Sequence, residues 1–256
     1  MTRPATILEA FGAGKAYPGG VLALDEATLE VGQGETLALI GESGSGKTTL
    51  LRMFNRMVEP TRGAIRFCGE AVDEMEPVAL RRRIGYVPQQ GGLIPHWTVS
   101  RNVELVPRLL GAAESERRSK AAATLDLVGL EPDEVGDRYP NQLSGGQRQR
   151  VALARALAAD PEVVLLDEPF GALDAITRLE LRGEFRRLQA ETALTALLVT
   201  HDLGEALELA DRVAVMRQGR ILQTGPPREI REHPADDYVA ELLSHVDRPS
   251  HPEGAG

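Results

Sequence analysis

The chain has 256 residues, 42% of them hydrophobic and 26% charged, with a formal net charge of −9 at pH 7. That length can bury a full core with or without a sub-domain, and the acidic balance argues against nucleic acid as a partner, which calls for a basic face. Cys68 stands alone, which excludes an internal disulfide, and no apolar run spans a bilayer; with no signal-peptide core in "MTRPATILEA", a soluble cytosolic protein is expected.

In chain order, the segments around residues 5–11 and 27–31 read as short β elements, as does "AIRFCGE" further on. Together they predict an antiparallel flank. "TLALIG" (36–41), "VVLLDE" (163–168) and "ALLVTHD" (196–202) are apolar without alternation, as suits parallel strands covered on both faces. "RIGYVPQ" (83–89) is the fourth expected strand of that core. Between about 98 and 160 the pattern turns helical, in "SRNVELVPRLLG", "ESERRSKAAATLDLVGL" and "GGQRQRVALARALAAD". This predicts a helical sub-domain inserted between two core strands. "RVAVMRQGRILQTG" (212–225) predicts a hairpin turning at Gln218-Gly219. From about 241 onward, ending in the polar "DRPSHPEGAG", a disordered tail is expected.

Two motifs carry chemistry. "GESGSGKT", Gly41 to Thr48, fits G-x-x-x-x-G-K-[ST] and follows an apolar strand, the context a phosphate-binding loop requires. Glycines let the loop wrap its N–H groups around phosphates; Lys47 then meets the β and γ oxygens, and the Thr48 hydroxyl is placed for Mg²⁺. "VVLLDE" sets Asp167 and Glu168 at the carboxyl end of a buried strand, where open α/β sheets bind ligands. Asp167 would hold Mg²⁺ through water, and Glu168 would orient and deprotonate an attacking water. The fold class expected is α/β: a P-loop NTPase core with a mostly parallel sheet, the antiparallel flank and the helical insert.

The order of these motifs, with "LSGGQ" (143–147) between them, resembles the ATP-binding-cassette family over residues 5 to about 240. The resemblance implies ATP and Mg²⁺ as ligands. It makes Gly41, Glu42, Ser43, Gly44, Ser45, Gly46, Lys47, Thr48 and Thr49 the Walker A loop, and Asp167 with Glu168 part of Walker B. Gln89 becomes the Q-loop glutamine, counted with Thr48 and Asp167 as a Mg²⁺ ligand. His201 becomes the switch histidine, catalytic beside Glu168 and Lys47. Asp174, in Ala172-Leu173-Asp174, matches the D-loop, and Tyr17 sits where the family places an aromatic that stacks on adenine. Members pack head to tail, so Ser144, Gly145, Gly146 and Gln147 are expected to cap the nucleotide of a second copy. Backbone N–H groups at a helix start suit that anion-binding task.

Within the family, a DNA-repair or chromosome-organising ATPase would carry a long coiled coil, and a two-cassette translation factor would carry two P-loops. Neither feature is present, which leaves a transporter motor. "LRRRIGYVPQQGGLIPHWTVSRNVELVPRLLG", "DRYPNQLSGGQ" and "DEPFGALDAITR" resemble bacterial importers of glycine betaine, carnitine and choline. That resemblance implies transmembrane permease subunits and an extracytoplasmic substrate-binding protein as partners, at the cytoplasmic face of the membrane. Another small solute, such as an amino acid, is the alternative. Many such subunits continue into a pair of regulatory modules, which residues 241–256 do not contain.

Overall fold

The computed structural model describes residues 5–244. Two sheets organise them. The first contains β1 (Thr6–Ala16), β2 (Leu22–Gly32), β4 (Arg62–Phe67) and β5 (Glu70–Ala71), in the order β2-β1-β4-β5 and antiparallel throughout. This is the expected flank, built as a separate sheet. The second joins β3 (Thr36–Ile40), β6 (Ile84–Val87), β7 (Val163–Asp167), β8 (Ala196–Val199), β9 (Arg212–Arg217) and β10 (Arg220–Gly225). Its order is β10-β9-β3-β8-β7-β6, parallel from β9 to β6, with β10 antiparallel at the edge. The β9–β10 hairpin turns at Gln218-Gly219, both left-handed, where it was expected.

The unbroken apolar runs follow from burial on both faces. In β3, Leu37 and Leu39 face a core shared with the antiparallel sheet and α1 (Lys47–Phe54), while Ala38 and Ile40 face the helices on the other side. Val163 and Leu165 alternate with Val164 and Leu166 in the same way, as do Leu197 and Val199 with Ala196 and Leu198. Strand side chains alternate between faces, so two covered faces demand an apolar residue at every position.

After α2 (Pro77–Arg83) the chain enters β6, and its helical stretch follows as α3 (Val99–Val103), α4 (Leu105–Leu109), α5 (Glu114–Leu127), α6 (Pro132–Val135) and α7 (Gly145–Leu157). "SRNVELVPRLLG" forms two short helices instead of one. Pro107 has no N–H for an i−4 bond, so the helix restarts at Leu105 and places Pro107 in a first turn, where none is needed. α7 does not stay inside a separate unit: a Cβ on Gly85 of β6 would lie 2.8 Å from the Ala156 carbonyl, so helix and strand are in close contact. The remaining helices are α8 (Ala175–Thr192), α9 (Leu203–Leu209), α10 (Pro227–Glu232) and α11 (Asp237–Ser244). α11 keeps residues 241–244 helical, four residues into the stretch expected to be a tail, because Val239 is buried against the main core. Residues 245–256 lie outside the described residues. No described helix is long and apolar enough to cross a membrane.

Candidate functional site

Parallel strands β3, β8, β7 and β6 are consecutive in the sheet and end on one edge. Their carboxyl ends deliver the loop 41–46, Thr200-His201, Asp167-Glu168 and Pro88-Gln89 to that edge, which is why residues scattered over 160 positions meet there.

The loop after β3 has a shape that fixes its residues. Gly41 (φ 149°) and Gly46 (φ 104°) adopt backbone angles that L side chains avoid. A Cβ on Gly41 would stand 2.0 Å from the Met216 carbonyl oxygen, and one on Gly46 2.4 Å from that of Ala23. The β9–β10 turn braces the loop from outside: Gly219 N–H donates to the Ser45 carbonyl at 2.9 Å, and Asp25 N–H donates to the Gly219 carbonyl at 2.8 Å. Lys47 is buried and donates from Nζ to the Gly41 carbonyl (2.7 Å) and the Glu42 carbonyl (2.8 Å). Burial lowers its pKa, and the carboxylates of Glu168, Asp167 and Glu42 oppose that shift. No side chain caps α1, which begins at Lys47, so its first N–H groups face the loop as a preformed anion cradle. Open space lies where a side chain at Gly44 would project. These features fit a polyphosphate.

At the end of β7, Asp167 is buried and accepts a hydrogen bond from Thr48 Oγ1 at 2.9 Å. Arg52 Nη2 and the Tyr86 hydroxyl each lie 3.5 Å from its other oxygen. A hydroxyl and a carboxylate side by side form an oxygen donor pair suited to Mg²⁺. Glu168 sits in the left-handed region at φ 49°, which for a non-glycine residue is a strained position and swings its side chain off the strand's alternation. Its Oε2 accepts from Gln89 Nε2 at 2.9 Å and lies 3.4 Å from His201 Nδ1. Gln89 is thus brought to Glu168, and its hydrogen bond does not go to the Thr48–Asp167 pair with which the sequence reading grouped it.

The signature residues are elsewhere. Ser144 caps α7: its Oγ accepts from Gln147 N–H at 3.1 Å, and Gln147 Oε1 accepts from Ser144 N–H at 3.0 Å. A Cβ on Gly146 would stand 2.4 Å from Thr177 Cγ2, so this turn packs against the start of α8. There Asp174 accepts from the Ile176 and Thr177 N–H groups and from the Thr177 hydroxyl (2.7 Å), which lowers its pKa, the Thr177 side chain contributing most. No described hydrogen bond or ion pair joins residues 144–147 to the loop 41–49. The exposed Tyr17 follows β1 in the turn before β2, under the Lys15 ammonium at 5.3 Å, and no described hydrogen bond or ring contact joins it to the other expected site residues. No described group of three or more His, Cys, Asp or Glu residues forms a metal centre of its own.

Arg182, Glu205 and Tyr238 are supporting residues that escaped the sequence reading. Arg182 of α8 is buried and reaches Asp202, next to His201, at 2.7 Å and Glu205 at 3.1 Å. Burial pushes the Glu205 carboxyl up to about 7 against the pull of Arg182. The Tyr238 hydroxyl of α11 accepts from Glu42 N–H at 3.3 Å, and Arg217 lies over the Tyr238 ring at 4.2 Å. Beyond Gln89, Trp97 is half-buried, with the Arg101 guanidinium over its ring at 4.3 Å and the His96 ring edge-on at 6.3 Å.

Comparison with known proteins places this geometry. The ABC transporter family model matches residues 24–171. The choline transport ATP-binding protein OpuBA of Bacillus subtilis is 48% identical over 90% of the chain, which spans 60% of that relative's length. The sulfate/thiosulfate import ATP-binding protein CysA of Bordetella parapertussis is also 48% identical, over 94% of the chain and 68% of its own. Among solved structures, a dimeric post-hydrolysis state of the ATP-binding cassette MJ0796 bound to ADP and Pi superposes with a TM-score of 0.78. It is 33% identical, over 87% of this chain and 99% of its own.

Proposed function

This chain belongs to the ABC transporter family, and from that premise we propose that it is the ATP-hydrolysing subunit of an importer for quaternary-amine osmoprotectants. The observation that carries the reading is the joint placement of the Lys47 cradle, the Thr48–Asp167 pair and Glu168 on one sheet edge. The choline-transport relative supports the solute class.

In this reading the N–H groups of the loop and of α1 bind the phosphates, and the Lys47 ammonium turns from the loop carbonyls to the β and γ oxygens. Thr48 and Asp167 would hold Mg²⁺, which supplies charge neutralisation at the phosphates. Glu168 orients the attacking water and accepts its proton, with Gln89 and His201 holding the carboxylate. Ser144 and the Gly145 and Gly146 N–H groups cap the phosphate of a second copy; that no described hydrogen bond or ion pair ties them to the chain's own cradle supports a head-to-tail pair, and the dimeric similar structure supports pairing itself. Closure would reach transmembrane permease subunits near Gln89 and Trp97, with an external binding protein selecting the solute and the cytoplasmic membrane face as location. ATP favours the closed pair only through its differential affinity for it.

The sulfate-import relative favours a second reading, in which the same motor serves an inorganic anion. Two measurements test both. Purified chain should hydrolyse Mg-ATP, and failure to do so would remove the enzyme assignment. Cells lacking the chain should lose uptake of radiolabelled glycine betaine or choline and keep sulfate uptake; the reverse pattern selects the second reading.

A further inference from the structure

The loop that carries Gln89 is fastened to the signature helix by one arginine. Gly91 and Gly92 follow Gln89 and Gln90, and both adopt left-handed angles (φ 71° and 61°). The turn is closed by Gly91 N–H donating to the Pro88 carbonyl at 2.8 Å. Both glycine carbonyls point at the same side chain: Arg155 donates from Nη1 to Gly92 O at 2.7 Å and from Nη2 to Gly91 O at 2.8 Å. A Cβ on Gly91 would stand 3.5 Å from Ala152 Cβ and 3.6 Å from Gln149 Oε1. Residues 149, 152 and 155 are spaced three apart, so one face of α7 forms the seat on which the loop backbone lies.

Arg155 is an unusual residue to use there. It is half-buried, no described carboxylate pairs with it, and desolvation alone accounts for its lowered pKa. A desolvated guanidinium without a counter-ion is costly unless its N–H groups find strong acceptors, and here the described ones are these two carbonyls. The fork geometry of arginine matches two adjacent carbonyls, which the single point charge of lysine cannot do.

We propose that Arg155 is a positioning residue for Gln89: it pins the Gln89 loop to the last turn of α7, so that the glutamine reaches Glu168 from a fixed backbone origin. The inference rests on the hydrolytic reading of Glu168. At the opposite end of the same helix, about 17 Å from Arg155 at 1.5 Å per residue, Ser144 begins the signature turn. The helix that presents the cap to a second copy is therefore also the body on which the Glu168 partner is mounted.

The test compares the full-length chain with Arg155→Met, which keeps the apolar stem, and Arg155→Lys. Hydrogen exchange should speed up at amides 89–93 in Arg155→Met while α7 amides 148–157 keep their protection. ATP affinity should stay within about two-fold, since the cradle is untouched, while kcat falls by about tenfold or more, the scale of a lost charge-assisted hydrogen bond. Arg155→Lys should recover part of both effects. Should Arg155→Met be insoluble, Gly92→Ala disturbs the same carbonyl from the loop side and is expected to give the same pattern. Unchanged exchange at 89–93, joint loss of protection in loop and α7, or a loosened loop with unchanged kcat would each overturn the proposal. Wild-type chain without ATPase activity would overturn the functional reading instead, and the exchange contrast would still report the tether.

Discussion

Gln89 Nε2 donates to Glu168 Oε2 at 2.9 Å, from the end of β6 to the residue following the neighbouring strand β7. The carboxylate assigned to accept a water proton is therefore held by an amide on one side and faced by His201 on the other.

Glu168→Gln keeps the shape and the approach of Gln89 but removes the base. Turnover should fall by about a hundred- to ten-thousand-fold, with ATP affinity preserved. Steady-state hydrolysis and equilibrium binding on the same preparation check this; near-normal turnover would reassign Glu168.

The same variant should accumulate as an ATP-bound pair, visible by light scattering. Adding Ser144→Arg places bulk and charge on the exposed start of α7 while the cradle stays intact. The pair should then be lost and single-chain ATP binding retained. A double variant that still pairs as tightly would mean that the signature turn does not cap a second copy's nucleotide.

Gly46→Ala meets both a left-handed φ of 104° and the Ala23 carbonyl 2.4 Å from the new Cβ. The strain should cost about 1–3 kcal/mol of stability, read as a lower Tm, and ATP affinity should fall with it. Gly44→Ala also sits at positive φ but meets no atom, so its smaller loss separates backbone strain from collision.

Glu205 sets a pH dependence. Its folded pKa of about 7 lies above its ordinary 4.5 because burial disfavours the charge. Between those values the folded chain binds more protons than the unfolded one, so this group's contribution to stability falls as pH rises through the window and is lowest above it. Glu205→Gln should flatten denaturant-unfolding stability between pH 5 and 8 relative to wild type. Asp202, whose pKa is lowered, acts in the opposite sense and only at more acidic pH. Parallel pH profiles for the two proteins would refute the assignment.

The core strands were legible because each apolar run is a local signal with a physical cause, burial on both faces. The cradle was legible for a similar reason: its glycines, Lys47 and Thr48 are contiguous, and Asp167-Glu168 end a strand of that kind. The braces were not. Arg155 meets its carbonyl partners 63 and 64 residues away, and Tyr238 meets Glu42 across 196. In the sequence those residues are an arginine among several on one helix and a tyrosine near the tail. Nothing local marks which arginine turns inward, and the strained φ of Glu168 leaves no trace in composition.

Trp97 is the only tryptophan in the chain and sits eight residues beyond Gln89, with Arg101 over its ring. The protein thus carries its own fluorophore beside the segment assigned to partner contact. A guanidinium sliding off an indole face changes both emission yield and wavelength, so intrinsic fluorescence can follow that segment in real time, in stopped flow and without any label.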